Sequence, residues 1–330
     1  MFKIINAMEN IIYCLNPVSL RMDFSKYESI FLMNNTFPSI KKLHPYRLLT
    51  VMLVFLMTIS LAVAQKKIYI ITDLEGISGV YKFDQAWIKG TPLNLEACEY
   101  FMGDVAAVVR GLRDGGATEV FVCDGHGDQA VIPHLMISGA IYITGKPKPG
   151  PGSLWGLDKS FAGVVLLGFH AMRGTPDGVL NHTQGVENRY WYNGVESGEL
   201  AQNAAIAGFF GVPPILVSGD EATCREAKSF FGDNCITVAV KRGIAREAAV
   251  LYPFEQTHKT LYDGARRAME IISLCKPYTL ETPIKVKMQY LKPVPTIKEY
   301  LEKKSIPDYW EPKLLTKEGT VLDALHLLEF

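Results

Sequence analysis

The segment Lys67-Ile-Tyr-Ile-Ile-Thr-Asp-Leu-Glu-Gly76 is a short run of apolar and β-branched residues that stops at two carboxylates and a glycine. A run of this length and composition is typical of a buried β-strand. Two further runs stop at polar residues in the same way, Val122-Cys-Asp-Gly-His126 and Leu166-Leu-Gly-Phe-His170. Because the carboxyl ends of strands form the ligand-binding edge of an α/β sheet, we expect these three strand ends to converge.

Short strand-like runs alternate with longer helical patterns from this first run onward. The predicted strands are Ile68–Thr72, Glu119–Cys123, Ala140–Thr144, Gly163–Gly168, Ile215–Val217, Ile236–Val240 and Ile284–Met288. The predicted helices are Leu95–Arg113, Glu199–Phe210, Glu221–Phe231 and Phe254–Leu274, and Lys146–Ser153 is a loop rich in proline and glycine. The alternation predicts an α/β fold in which a largely parallel or mixed sheet is flanked by helices.

Residues 1–64 differ in pattern from the rest of the 330-residue chain. A cationic flank that ends at Arg47 precedes the apolar run Leu48–Ala64, which closes with Ala62-Val63-Ala64. This layout predicts a signal peptide cleaved after Ala64, and therefore a periplasmic or secreted mature protein. A run of about 17 apolar residues lies at the lower limit for spanning a bilayer, so a retained membrane anchor is the alternative.

The rest of the chain is divided into an α/β domain over residues 65–290 and a C-terminal extension over residues 291–330. The extension has a weaker pattern, with a short helix near Leu322–Leu328 and no assigned role.

Cys224 and Cys235 are close enough in sequence for one disulfide in an oxidising compartment, although spacing alone does not establish it. The sequence has no Cys-x-x-Cys pair, which argues against a thiolate zinc site.

The overall charge bears on the class of partner. The chain has 34 basic and 34 acidic residues, so it has no net field that would attract nucleic acid or an anionic membrane surface. Its 48% hydrophobic content is ample for a sizeable core. Small molecules or peptides are therefore the better partners, and a membrane is one only if the signal segment is retained.

The residues at the strand ends are candidate metal ligands. Asp73 and Glu75 are two apart in an extended segment, so both side chains emerge on one face. His126 follows a glycine in a loop after a strand, and His170 lies at the tip of a buried one. The structural alternatives are a turn cap for Asp73, a solvated Glu75, a surface His126 and a hydrogen-bonded core His170.

Two further polar residues follow in the sequence. Glu199 opens a predicted helix, where it either interacts with the helix N-terminus or acts as a ligand held on a rigid element. His182 lies between Asn181 and Thr183, and nothing local marks it as a ligand.

Together the candidates form a ligand set of carboxylates and imidazoles, which is the mixture expected for zinc or a similar divalent ion. The members are Asp73, Glu75, His126, His170 and Glu199. The set is large enough for two metals. If Asp73 bridges, one ion could take Glu75 and His170 and the other His126 and Glu199, although sequence spacing does not prove this sharing.

Five separated motifs agree in type and order with a known family. They are Asp73-Leu-Glu-Gly-Ile-Ser-Gly79, Asp124-Gly-His126, Gly168-Phe-His-Ala171, Asn181-His-Thr183 and Gly198-Glu-Leu200. From about Lys67 to Tyr290 the chain resembles the DppA-type D-aminopeptidase family of zinc metallopeptidases.

This resemblance implies two zinc ions per subunit. Asp73 matches the bridging ligand, Glu75 and His170 match the ligands of one zinc, and His126 and Glu199 match those of the other. His182 matches the histidine with the catalytic role, as nucleophile or general base. The family also implies a short D-amino-acid-containing peptide with a free N-terminus as substrate, and a homo-oligomer in the form of a ring.

Two other functions fit the same residues. A metal-dependent amide or ester hydrolase of other specificity would use the same ligand set, because that set polarises any carbonyl. A non-catalytic periplasmic protein that binds metal or peptide would also need these ligands. His182 argues against the second, since a polar residue beyond the ligand set serves a reaction better than it serves binding.

Overall fold

A computed structural model describes residues 65–127, 130–146, 154–291 and 314–330. They belong to one compact unit of the chain, Ala64–Phe330. The predicted signal peptide lies outside the described residues, as does most of the predicted loop Lys146–Ser153. Within the described ranges, no helix combines the length and the apolar character needed to cross a membrane.

The main sheet of the described chain has seven strands, in the spatial order β3-β2-β1-β4-β7-β8-β9. These strands are β1 (Lys67–Thr72), β2 (Glu119–Asp124), β3 (Ile141–Ile143), β4 (Phe161–Leu167), β7 (Pro214–Asp220), β8 (Ile236–Ala245) and β9 (Ala248–Leu251). All neighbours pair in parallel except β8 and β9, which are antiparallel. The predicted α/β class with a mixed sheet is therefore confirmed.

Helices cover both faces of this sheet. They are α1 (Phe83–Trp87), α2 (Pro92–Asp114), α3 (Glu199–Phe209), α4 (Glu221–Phe231) and α5 (Phe254–Ile271). Side chains of β1 alternate between the faces, so Ile68 and Ile70 share a core with α2 and α5. Tyr69 and Ile71 share the other core with α3 and α4. Because β1 is buried on both sides, its sequence is a continuous apolar run rather than an alternating one.

A second sheet of four antiparallel strands was not predicted as a unit. Its order is β11-β10-β5-β6, formed by β5 (Arg189–Tyr192), β6 (Val195–Ser197), β10 (Ile284–Leu291) and β11 (Leu314–Val321). Asn193 and Gly194, both with positive φ, join β5 to β6. An Asn-Gly pair between two short strands is a strong hairpin signal, and the sequence analysis missed it.

The residues after Tyr290 contribute to this second sheet. Strand β11 pairs along the whole length of β10. The short helix predicted near Leu322–Leu328 is a 3-10 helix over Ala324–Glu329, and its Ala324 and Leu327 are buried against Tyr190 and Tyr192. The described part of the predicted extension therefore packs on the domain.

Most predicted elements of the main sheet are present with longer bounds, whereas α1, β9 and the hairpin were missed because they are short. A further difference concerns the cysteines. Cys224 and Cys235 are buried free thiols in this structure, so the disulfide that their spacing allowed is not formed here.

Gly76 allows the loop after β1 to lie against the end of β4. Its amide donates to the carbonyl of Gly168 at 2.7 Å. A Cβ at position 76 would lie 1.8 Å from the carbonyl oxygen of Phe169, so no larger residue fits without moving one of the two segments. This contact brings the loop that contains Asp73 and Glu75 next to His170.

We expect Gly76→Ala to lower the free energy of unfolding by more than about 3 kcal/mol, because the added methyl meets backbone atoms that cannot rotate away. Gly156→Ala is the matched control. Gly156 has positive φ but open space around it, so its cost is limited to about 1 kcal/mol of backbone strain. Urea denaturation measures both values, and equal losses would contradict the steric argument.

Candidate metal centre

The six candidate residues converge at the carboxyl edge of the main sheet. Asp73 follows β1, His126 follows β2 and His170 follows β4, and these three strands are neighbours with β1 in the middle. Glu199 is the first residue of α3, whereas His182 lies in the segment between β4 and β5. The structure thus brings together all the site residues that the sequence predicted.

Asp73 lies between two of the histidines. Its Oδ1 is 2.9 Å from Nδ1 of His126, and its Oδ2 is 3.3 Å from Nε2 of His170. Glu75 reaches the same place, with its Oε2 3.0 Å from Nδ1 of His126. Each oxygen of Asp73 therefore faces a different imidazole.

Glu199 and His182 close the other side of the site. Oε1 of Glu199 lies 3.6 Å from Nε2 of His170 and 3.7 Å from Nε2 of His182. The two imidazole rings are stacked, with centroids 3.9 Å apart. His182 is thus in contact with the ligand set rather than remote from it.

Each of the three histidines has one ring nitrogen on a backbone carbonyl. His126 Nε2 lies 2.9 Å from the oxygen of Ala86, His170 Nδ1 lies 3.0 Å from its neighbour Ala171, and His182 Nδ1 lies 2.7 Å from Leu180. A carbonyl only accepts, so in a neutral ring we assign the proton to that nitrogen. The lone pair of the other nitrogen then faces the carboxylates, as in histidines that bind metals.

With neutral histidine rings, the site contains nitrogen lone pairs and carboxylates but no positive charge to balance them. Glu75 is 1% exposed, and its Oε2 and the Nε2 of His170 make no hydrogen bond within the described chain. Burial alone would raise the pKa of Glu75, but the nearby imidazoles, His126 above all, hold that pKa well below its usual range. A cation that approaches this place meets buried, unsatisfied ligand atoms.

The same charges act on the histidines. Burial lowers the pKa of His170, but the carboxylates of Asp73 and Glu199 outweigh burial and raise it to about 10. The pKa of His126 is raised well above its usual value, because Glu75 and Asp73 likewise outweigh the effect of burial. Without a metal, protons on these rings supply the positive charge that the carboxylates require.

His182 behaves in the opposite way. Burial, followed by the charge of His170, lowers its pKa below the ordinary value. Its ring is therefore neutral at neutral pH. Nδ1–H donates to the carbonyl of Leu180, and the unprotonated Nε2 faces Glu199.

The donor set fits a metal of the zinc type. Ligand atoms of Asp73, Glu75 and His170 lie within 4.8 Å of one another. A ring nitrogen of His182 lies within the same distance of His170 and Glu199, which places this candidate catalytic residue beside the ligands. Carboxylate oxygens and imidazole nitrogens are the ligands that zinc takes in catalytic sites. The pairing of His126 with Glu199 on one ion stays a prediction.

Lys241 on β8 is one residue that the sequence analysis missed. Its side chain is completely buried, and Nζ donates to the carbonyls of Glu75, Ile77 and Val80. Burial lowers the pKa of Lys241 to about 8, despite nearby Asp220 and Asp104. The loop after β1 is thus tied to the sheet through three of its carbonyls. A lysine that ends the apolar run of β8 was the available signal in the sequence.

Two other residues support the loops of the site. Trp87, at the end of α1, donates from its indole nitrogen to Oε1 of Glu75 at 2.7 Å. Asp124, the last residue of β2, accepts from the amide of Ala130 at 2.8 Å. Asp124 therefore holds the loop after β2. No signal in the sequence pointed to Trp87.

Comparison with known proteins places this geometry in context. A family model described as D-aminopeptidase matches residues 66–296. A D-aminopeptidase of Bacillus subtilis (strain 168) is 32% identical over 219 residues, which cover 64% of this chain and 77% of that protein. A solved structure, the Zn-dependent D-aminopeptidase DppA from Bacillus subtilis, described as a self-compartmentalizing protease, matches with a TM-score of 0.68 and 26% identity. That match covers 78% of this chain and 93% of the other.

We expect Lys241→Met to lower the free energy of unfolding by about 3 kcal/mol or more. The substitution leaves three carbonyls without their donor, at about 1–3 kcal/mol for each buried unsatisfied group, and the removal of a buried charge offsets part of this loss. Lys285→Met is the matched control, because Lys285 is an exposed lysine on β10. Urea denaturation of the two variants compares them, and a Lys241→Met protein as stable as the control would contradict the assignment.

Proposed function

This chain belongs to the D-aminopeptidase family, and from that membership we propose that it is a two-zinc enzyme that removes the N-terminal residue from short peptides containing D-amino acids. One observation carries the proposal. Three carboxylates and three imidazoles meet at one sheet edge, and each imidazole has one ring nitrogen hydrogen-bonded to a backbone carbonyl. The nitrogens that remain are free to bind a metal or a proton.

In this proposal Asp73 bridges the two ions. Glu75 and His170 hold one zinc, while His126 and Glu199 hold the other. Support comes from Asp73, whose two oxygens face different imidazoles, and from the close grouping of Asp73, Glu75 and His170. Related divalent ions suit the same ligands.

Bound zinc supplies Lewis acidity, which polarises the scissile carbonyl and makes water easier to deprotonate near neutral pH. The chain's own contribution is a rigid arrangement of ligands on neighbouring strand ends and on the first turn of α3. Because Asp73, Glu75 and His170 are buried, they are held in place without competition from bulk water.

His182 accepts and returns a proton in the proposed reaction. Its lowered pKa keeps the ring neutral, and its Nδ1–H is fixed on Leu180, so Nε2 is the nitrogen that acts. Phe83 and Trp87 lie against the ring, with centroids 6.2 and 5.3 Å away, and limit its rotation. A positioned general base of this kind contributes about 10²–10⁴-fold to the rate.

Assembly and location are further parts of the proposal. The solved Bacillus subtilis protein is described as self-compartmentalizing, and this supports a homo-oligomer, in the form of a ring, for the present chain. The cationic flank and apolar run before Ala64 support export to the periplasm or beyond, with a membrane anchor as the alternative if the segment is retained.

We expect the purified, zinc-loaded protein to hydrolyse D-alanyl dipeptides faster than their L-isomers. His182→Ala should retain zinc and lose about 10²–10⁴-fold in kcat, because it removes the base but no ligand. Asp73→Ala should lose both zinc and activity, since it removes the bridging ligand. Metal analysis and dipeptide hydrolysis measure these effects.

His134→Ala is the control, because His134 is an exposed histidine outside the site. Turnover of L-amides or esters in preference to D-peptides would favour a hydrolase of other specificity. Two bound zinc ions without turnover of any of these substrates would favour the non-catalytic binding protein, and full activity of His182→Ala would exclude the proposed base.

A further inference from the structure

The short helix α1 contacts two of the candidate ligands at once. The carbonyl oxygen of Ala86 is hydrogen-bonded to Nε2 of His126 at 2.9 Å. The indole nitrogen of the next residue, Trp87, donates to Oε1 of Glu75 at 2.7 Å. Both contacts come from the C-terminal end of α1, which packs over the loops after β1 and β2. Helix α1 is therefore placed to control how these two ligands are presented.

The two oxygens of Glu75 have different surroundings. Oε1 accepts the indole N–H of Trp87, whereas Oε2 is buried, makes no hydrogen bond among the described residues and lies 3.0 Å from Nδ1 of His126. An indole N–H is a donor only and has no second orientation. The Trp87 bond thus leaves one defined oxygen of Glu75 facing the histidines.

The ring of Trp87 makes a second contact with the site. It meets the imidazole of His182 edge to face, with centroids 5.3 Å apart and planes at 82°. The ring of Phe83 also packs against Trp87, with ring centroids 4.6 Å apart, and the guanidinium of Arg246 lies 5.2 Å from the centroid of the Phe83 ring. The indole is held between a candidate ligand and the candidate base.

We propose that Trp87 is a positioning residue of the metal centre. Its indole N–H holds one oxygen of Glu75, so that the other oxygen serves as the ligand, and its ring keeps the imidazole of His182 in a fixed position beside Glu75. The Trp87 side chain is 37% exposed, yet its one polar atom is turned inward onto a buried carboxylate. A hydrogen bond to an ionised carboxylate is about twice as strong as one between neutral groups. Without it, the Glu75 carboxylate can rotate and offer either oxygen.

The test separates the N–H from the ring. Trp87→Phe removes the donor and part of the ring, and Trp87→benzothienylalanine keeps the shape of the indole but has no N–H. Trp155→Phe is the matched control, because Trp155 is 41% exposed and accepts the hydroxyl of Tyr69 with its backbone carbonyl, which the substitution leaves in place. Zinc affinity by chelator competition, tryptophan fluorescence during zinc titration, and kcat and KM are measured for each protein.

We expect both Trp87 variants to bind zinc about 10- to 100-fold more weakly, which is the usual effect of removing a group that supports a metal ligand. The parent and Trp155→Phe should change their fluorescence as zinc binds, and Trp87→Phe should lose that change. At saturating zinc, Trp87→Phe should lower kcat more than it raises KM, because the contact with His182 is altered. The benzothienylalanine variant should retain more of kcat, since its ring still holds His182.

The inference rests on the proposed metal centre, and the two fail in different ways. A parent protein that binds no zinc would overturn the centre itself, before any variant is compared. If the parent binds zinc and the benzothienylalanine variant binds it equally well, the centre stands and the role of the indole N–H is wrong. If Trp87→Phe does not fold, the isosteric variant, which preserves the packing, still decides between these outcomes.

Discussion

Parallel pairing of β1 with β2 on one side and with β4 on the other is the constraint on which the site depends. It places the ends of three strands side by side, so that Asp73, His126 and His170 become neighbours although up to 97 residues separate them in the sequence. The close approach of Gly76 to the end of β4 completes the arrangement. Helices α2 and α5 on one face, and α3 and α4 on the other, cover the strands so that the ends cannot shift independently.

Charge balance is the second theme of the molecule. Several carboxylates lie in the site and near Lys241. The buried ammonium of Lys241 offsets part of their negative charge, and so do His170 and His126, whose pKa values are raised. His182 differs, because it is near one histidine and its burial is not outweighed by carboxylates. Without a metal, the two stacked rings are thus in different protonation states: His170 carries a proton that balances the carboxylates, whereas His182 is neutral and is able to accept one.

Sequence patterns predicted the parts of this structure that are local. Asp73, Glu75, His126 and His170 could be found because each follows an apolar strand, and Glu199 because it opens a helix. His182 carries no local signature, and only its match to a family motif singled it out. Trp87 and Lys241 act on Glu75 from segments 12 and 166 residues away, so no local pattern connects them to it. In the second sheet the β5–β6 hairpin had a local signal in Asn193-Gly194, but the pairing of β10 with β5 joins segments far apart in the chain, so no local pattern predicted the sheet as a unit.

The pairing of β11 with β10 decides which strand lies at the open edge of the second sheet. The match to the family model ends at residue 296, and β11 lies beyond it. Without β11, one side of β10 would present a row of unpaired amides and carbonyls, the kind of open edge that recruits strands from other molecules. The C-terminal strand therefore moves the open edge of this sheet from β10 to β11, where Lys317 and Glu318 are exposed, and charged side chains on an edge strand discourage pairing with strands of other molecules.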